Sequence, residues 1–298
     1  MKVYNNKKAQ REIIRTYDNL LRAWGVEREE KDVETNYGTT HVIVCGDDSK
    51  PPLVLFHGVG DDSALMWVYN AKYLSRYYCL YAIDTIGGPG KSIPSEGYNR
   101  DFDDVDWIDQ ILNELRIPSA FFAGVSHGGY LVQLYSVVRS ERVIKGISIA
   151  GAVAVEENGS NMSLMMKIFL PEALFPTKKN TMKLLRKMSG ENSAAFTENE
   201  EILEHFTYLL RGFNNMAMRY HKTRGFDEEE LAVLREKVEF LVGLEDPFEK
   251  LGGADALRNH NMKTTFYEKA GHGLNHELAD EINNKIVEIF TSTEVHEH

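Results

Sequence analysis

The chain has 298 residues, of which 43% are hydrophobic, and a formal net charge of −11 at pH 7. The hydrophobic content excludes disorder as the dominant state. A negative chain whose basic residues are scattered is a poor partner for nucleic-acid phosphates. The segment from Met1 to Gln10 lacks the apolar stretch of a secretory signal, and no apolar run approaches the roughly 20 residues that span a bilayer. A soluble, cytoplasmic protein is expected, a monomer or homodimer acting on a small molecule, with no nucleic-acid or membrane partner. Cys45 and Cys79 each fall in an apolar run and read as buried free thiols.

From Arg11 to Trp24 apolar residues recur at 13, 14, 17, 20, 21 and 24, helical spacing closed by Gly25. A hairpin follows, with strands at 32–36 and 41–45 and a turn at Tyr37-Gly38. The runs 53–56 and 80–83 read as buried strands. Residues 105–115 carry Ile108, Ile111, Leu112 and Leu115 on one face of a helix. Strand 120–123, helix 129–139 and strand 145–149 come next. From Glu156 to about Gly225 the pattern is helical and rich in methionine (Met162, Met165, Met166, Met182, Met188, Met216, Met218). Strands return at 238–242 and 264–267, and a last helix covers 277–290. Alternating strands and helices imply an α/β class with a mostly parallel central sheet flanked by helices. The expected division is a core of residues 1–152 and 226–298, with a helical cap inserted at 153–225.

The chemistry centres on Gly124-Val125-Ser126-His127-Gly128. This is G-x-S-x-G between a strand and a helix, the context in which the serine is lifted on a sharp turn. A serine hydroxyl needs a base. His272, in a loop after the last strand, lies where parallel sheets build their sites, and His276 is the reserve. The base in turn needs a carboxylate. Asp246 follows strand 238–242, with Glu245 as its competitor. The order Ser126, Asp246, His272 is the one expected for this turn motif. The backbone N–H groups of Val59, in His57-Gly58-Val59-Gly60, and of His127 are candidates to hold an oxyanion. His57, Gly58 and Trp67 are candidates to line the substrate pocket, Trp67 having simple packing as its alternative. The other histidines read as packing or surface residues, with the His127 ring pointing away from Ser126.

Phe56-His57-Gly58, the segment Asp84 to Ser92, the Ser126 turn, Asp246-Pro247 and Gly271-His272 together resemble the α/β-hydrolase superfamily over nearly the whole chain. Helix 11–24 and the stretch from Ile83 to Ser95 are similar to a subgroup of bacterial carboxylesterases. The resemblance implies the α/β-hydrolase fold and a cofactor-free Ser126–His272–Asp246 esterase with Val59 and His127 at its oxyanion hole. Two departures stand out: the D-x-x-G-x-G-x-S pattern is one residue longer here, and a histidine follows the nucleophile. The same triad serves carbon–carbon bond hydrolases, aminopeptidases and perhydrolases, and a non-catalytic small-molecule sensor on this scaffold is a further alternative.

Other signals are weaker. Gly87-Gly88-Pro89-Gly90-Lys91-Ser92 lacks the first glycine of a phosphate loop, which Thr85 replaces, and Pro89 removes a donor. His272 and His276 have i, i+4 spacing, but flanking glycines argue for a loop over a zinc helix, so no metal is expected. The run Asp101 to Asp106 reads as the charged first turn of a helix. The methionines of the insertion fit cap packing and an adaptable apolar pocket equally well.

Overall fold

The computed structural model describes residues 1–155, 168–170, 172, 174–248 and 253–294. In chain order its strands are β1 (Arg28–Thr35), β2 (Gly38–Cys45), β3 (Pro52–Phe56), β4 (Cys79–Ile83), β5 (Ile93–Pro94), β6 (Ala120–Val125), β7 (Val143–Ile149), β8 (Val238–Gly243) and β9 (Thr264–Tyr267). Among the described residues they form one sheet, ordered β1-β2-β4-β3-β6-β7-β8-β9, with β5 paired to β2. The pairs from β4 through β9 are parallel, and β1-β2 and β2-β4 are antiparallel. The turn of the β1-β2 hairpin is Asn36-Tyr37, because Thr35 pairs with Gly38. β1 begins at Arg28, four residues before the apolar pattern suggests. Its first half is charged, as an edge strand facing water can be.

Strand periodicity sorts the core into two layers. Leu53, Leu55, Phe121, Ala123 and Leu241 face one layer. Val54, Phe56, Ala120, Phe122, Phe240 and Val242 face the other. The first layer is covered by α1 (Lys7–Ala23), α2 (Ser63–Met66), α3 (Ala71–Leu74) and, at the chain's end, a long helix from Ala279 to Glu294. The second is covered by α4 (Asp104–Glu114), α5 (His127–Val138) and a helix from Glu228 to Lys237. Both cysteines are buried free thiols.

α1 starts four residues before its apolar spacing does. Asn6 caps it by accepting from the Ala9 N–H, and its polar first turn carries no hydrophobic signal. Its buried face then delivers Ile13, Tyr17, Leu20 and Leu21 to the core, each worth about 1.5–3 kcal/mol of burial for the aliphatic side chains.

Between β7 and β8 lie α6 (Lys178–Met188), α7 (Ala194–Thr197), α8 (Glu200–Gly212) and a 3-10 turn (Asn215–Met218). Among the described residues of this stretch no strand occurs, although Tyr4 and Phe213 form an isolated bridge. The N-terminal segment is stitched to it: Asn5 donates to the Gly212 carbonyl, and Asn214 donates to that of Val3. Met182 packs against the core, Met218 is buried and Met216 is exposed; Met162, Met165 and Met166 lie outside the described residues. α9 (Glu228–Lys237) and α10 (Gly253–Asn259) follow, and the last helix divides into α11 (Leu274–Glu277) and α12 (Ala279–Glu294), Leu278 leaving helical geometry at φ −126, ψ 42. No helix among the described residues is long and apolar enough to cross a membrane.

Candidate active site

Ser126 stands between β6 and α5 with φ 56 and ψ −115, a conformation L-residues adopt only under constraint. The constraint is packing. A Cβ on Gly124 would lie 2.1 Å from the Gly128 carbonyl oxygen, and one on Gly128 would lie 2.4 Å from that of Phe56. Only glycines let the turn pass this close to β3. The Ser126 N–H donates to the Ile149 carbonyl at 2.8 Å, which fixes the turn to β7. Ser126 itself is half-buried.

Because the central strands are parallel, the loops after β3, β6, β8 and β9 meet at one edge of the sheet. The loop after β8 supplies Asp246, which is buried. Its Oδ1 accepts from the Phe248 N–H at 2.8 Å, and its Oδ2 accepts from His272 Nδ1 at 2.7 Å. Glu245 is exposed. The His272 ring lies 4.6 Å from that of Phe248, and its N–H donates to the Met188 carbonyl at the end of α6. In a neutral ring, Nδ1–H on Asp246 leaves Nε2 as the acceptor. Among the described residues no hydrogen bond joins Ser126 to His272; such contacts are commonly long in substrate-free sites and tighten when substrate binds.

The loop after β3 abuts the serine: a Cβ on Gly58 would sit 3.4 Å from Ser126 Cβ. The N–H groups of Val59 and His127 have no acceptor among the described residues. His57 is fully buried and latches this loop to the next one. Its Nδ1 donates to the Gly58 carbonyl at 2.8 Å, and its Nε2 accepts from the Thr85 N–H at 2.8 Å. Burial holds its pKa below the ordinary histidine range. Trp67 is fully buried in the core, and its indole N–H has no partner among the described residues. Asp84 organises the same region by accepting from the Ser63 N–H, the Tyr17 hydroxyl and the Lys91 N–H.

Two supporting groups escape sequence reading. Glu277 accepts from the N–H groups of Gly271 (3.1 Å) and Gly190 (2.7 Å), clamping the His272 loop to the segment after α6. Asp62, four residues beyond Gly58, accepts from His205 Nε2 at 2.7 Å, and His205 Nδ1 reaches Thr16 Oγ1 at 2.7 Å. Asp62 and His205 are fully buried and Thr16 nearly so, so α1, α8 and the loop after β3 share one buried ion pair. His205 holds the Asp62 carboxyl below the usual range against the opposing effect of burial. His205→Ala leaves that carboxylate buried and unpaired, and is expected to lower stability by about 3–5 kcal/mol, read as the shift in urea midpoint at unchanged slope.

His276, the reserve base, is buried. Its Nε2 donates to the Leu65 carbonyl at 3.0 Å and its ring lies 4.8 Å from that of Phe196. Burial lowers its pKa to about 4 and that of His127 to about 3. A histidine with a depressed folded value is neutral in the fold and takes up a proton on unfolding. Its contribution is therefore complete above pH 6.5 and is lost as pH falls toward the folded value. For His276 the loss by pH 5 is about 2 kcal/mol. Melting temperature is expected to fall between pH 7 and pH 5, and less steeply in His276→Gln, which keeps a donor for Leu65.

A family model described as "alpha/beta hydrolase fold" matches residues 51–225, more than half of the chain. The carboxylesterase YbfK of Bacillus subtilis (strain 168) is 36% identical over 138 residues, covering 46% of this chain and 46% of that protein. The uncharacterized carboxylesterase nap of the same organism is 35% identical over 128 residues, covering 43% of this chain and 42% of that protein. The match thus spans a little under half the length of these curated relatives. Among solved structures, naproxen esterase (carboxylesterase NP) from Bacillus subtilis superposes with a TM-score of 0.79 over 97% of this chain and 100% of that one, at 24% identity, a likeness of fold.

Proposed function

The chain belongs to the alpha/beta hydrolase family, and from that premise we propose that it is a serine hydrolase cleaving a carboxylic ester of a small, fairly apolar substrate. The observation that carries this reading is the His272–Asp246 hydrogen bond of 2.7 Å at the edge of the sheet where the strained Ser126 turn also stands. Ser126 Oγ attacks the ester carbonyl carbon and its proton passes to His272 Nε2. Asp246 stabilises the resulting imidazolium. The N–H groups of Val59 and His127 receive the oxyanion. Collapse of the tetrahedral intermediate expels the alcohol, which takes the proton from His272. Water then attacks the acyl-enzyme with His272 again as base, releasing the acid and restoring Ser126.

Residues 153–225 act as the cap. Support comes from the contacts already described: the Met188 carbonyl on the His272 N–H, Glu277 on Gly190, and His205 on Asp62. Each ties the inserted helices to a loop of the site, which places them to cover it. The reading is tested with a series of p-nitrophenyl acyl esters. Saturable turnover that peaks at one acyl length is expected. A folded chain that turns over none of them, while binding a small apolar ligand tightly, contradicts it and favours the sensor.

A further inference from the structure

We propose that Asp104, His127 and His221 form a binding site for a divalent transition-metal ion of the zinc type. One ligand atom from each of the three lies within 4.8 Å of the others. The residues come from different parts of the chain: Asp104 opens α4, His127 opens α5, and His221 follows the 3-10 turn that ends the inserted segment. Spacing along the sequence therefore gives no hint of the cluster, and the acid run containing Asp104 reads locally as a helix start.

Two imidazoles and one carboxylate form the mixed nitrogen and oxygen donor set that zinc and its neighbours prefer, with a fourth position left for water. Three further observations favour an ion over a purely structural cluster. Among the described residues His127 Nε2 is buried and has no hydrogen-bond partner, so one ligand is unspent. His221 Nε2 donates to the Ile86 carbonyl at 2.8 Å, the outer contact that metal-bound histidines usually make, and this aims Nδ1 at the cluster. Asp104 and His221 are nearly or fully buried, and the His221 ring packs against Tyr98, Phe102 and Trp107, a dry wall that strengthens charge–ligand attraction.

His221 Nδ1 and Asp104 Oδ1 lie 2.5 Å apart, a contact that needs a proton between them. A bound ion takes the place of that proton, which leaves to solvent. Metal–ligand distances of about 2.0–2.1 Å set ligand atoms about 3.3 Å from one another in a tetrahedral site. The pair must open slightly, and His127, whose ligand atom lies within 4.8 Å of the other two, must settle at that spacing. The ion would then fasten the end of the inserted segment to the first residue of the helix behind Ser126.

The test uses the full chain stripped with EDTA, titrated with Co²⁺ and followed by its visible absorption, then with Zn²⁺ in competition. One equivalent of Co²⁺ with visible bands, displaced by Zn²⁺, is expected. Asp104→Asn and His221→Gln are each expected to weaken binding by at least about 100-fold, more than loss of an outer contact does. Thermal melts without metal show which variants fold, and either one suffices. His296 and His298 near the chain's end are a competing source of imidazole, so His296→Ala/His298→Ala serves as the control and is expected to bind like wild type. Absence of saturable binding overturns the proposal, as does an equivalent that survives in the folded Asp104 or His221 variant or disappears in the tail variant.

Discussion

Replacing Ser126 with alanine is expected to lower kcat for a p-nitrophenyl ester by at least about 10³-fold, and toward 10⁶-fold if serine and base act as one unit. The substitution removes one oxygen and leaves the turn itself intact, since alanine has the same Cβ. The turn is held by the Ser126 N–H on Ile149 and by the close passage of Gly124 and Gly128, none of which involves the hydroxyl. Melting temperature should therefore change little, so that loss of rate reports chemistry rather than unfolding. KM should also stay within a few-fold, because the backbone N–H groups around the serine remain. An alanine variant that keeps a tenth of wild-type kcat would mean that another group is the nucleophile.

Asp246→Asn is expected to lower kcat by about 10⁴-fold. The amide has the shape of the carboxylate and can still accept from the Phe248 N–H through its oxygen. The group facing His272 Nδ1 then becomes an N–H donor, which selects the other imidazole tautomer. Nε2 carries the proton and can no longer accept one from Ser126. The developing imidazolium also loses its counter-charge. Because Asp246 is buried and Glu245 is exposed, the neighbouring glutamate has no ready route to substitute. Matched Glu245→Gln is expected to stay within a few-fold of wild type. The inverse ranking of the two variants would move the orienting acid to Glu245.

The residues legible in sequence are those whose roles are local. Gly124 and Gly128 mark the turn because only glycine tolerates backbone at 2.1–2.4 Å, and that requirement is written in five consecutive residues. β3 and β6 are short and apolar because both faces are covered, so each shows as an unbroken run, and β8 departs from this only at Glu239. Asp246 and His272 follow strands whose order the fold class implies. Contacts between distant segments leave no such trace. The Asp62–His205 pair joins residues 143 positions apart, and the Asp104–His221 pair joins residues 117 apart. Each member looks locally like a polar residue on a helix or loop. Glu277 appears as the start of a helix, yet its carboxylate spans the Gly271 and Gly190 N–H groups. Element ends run past their apolar patterns for a local reason. The first turn of α1 and the first half of β1 are polar, so their hydrogen bonds extend beyond their apolar patterns.

The most direct measurement is the site of covalent capture. The full chain, active toward a p-nitrophenyl ester, is treated with a fluorophosphonate, digested and mapped by mass spectrometry. One adduct per chain is expected on the peptide containing Ser126, formed as activity is lost, and absent from Ser126→Ala. An active chain that carries no adduct at Ser126 after inactivation, or carries it on a different residue, contradicts the assignment of Ser126 as the nucleophile.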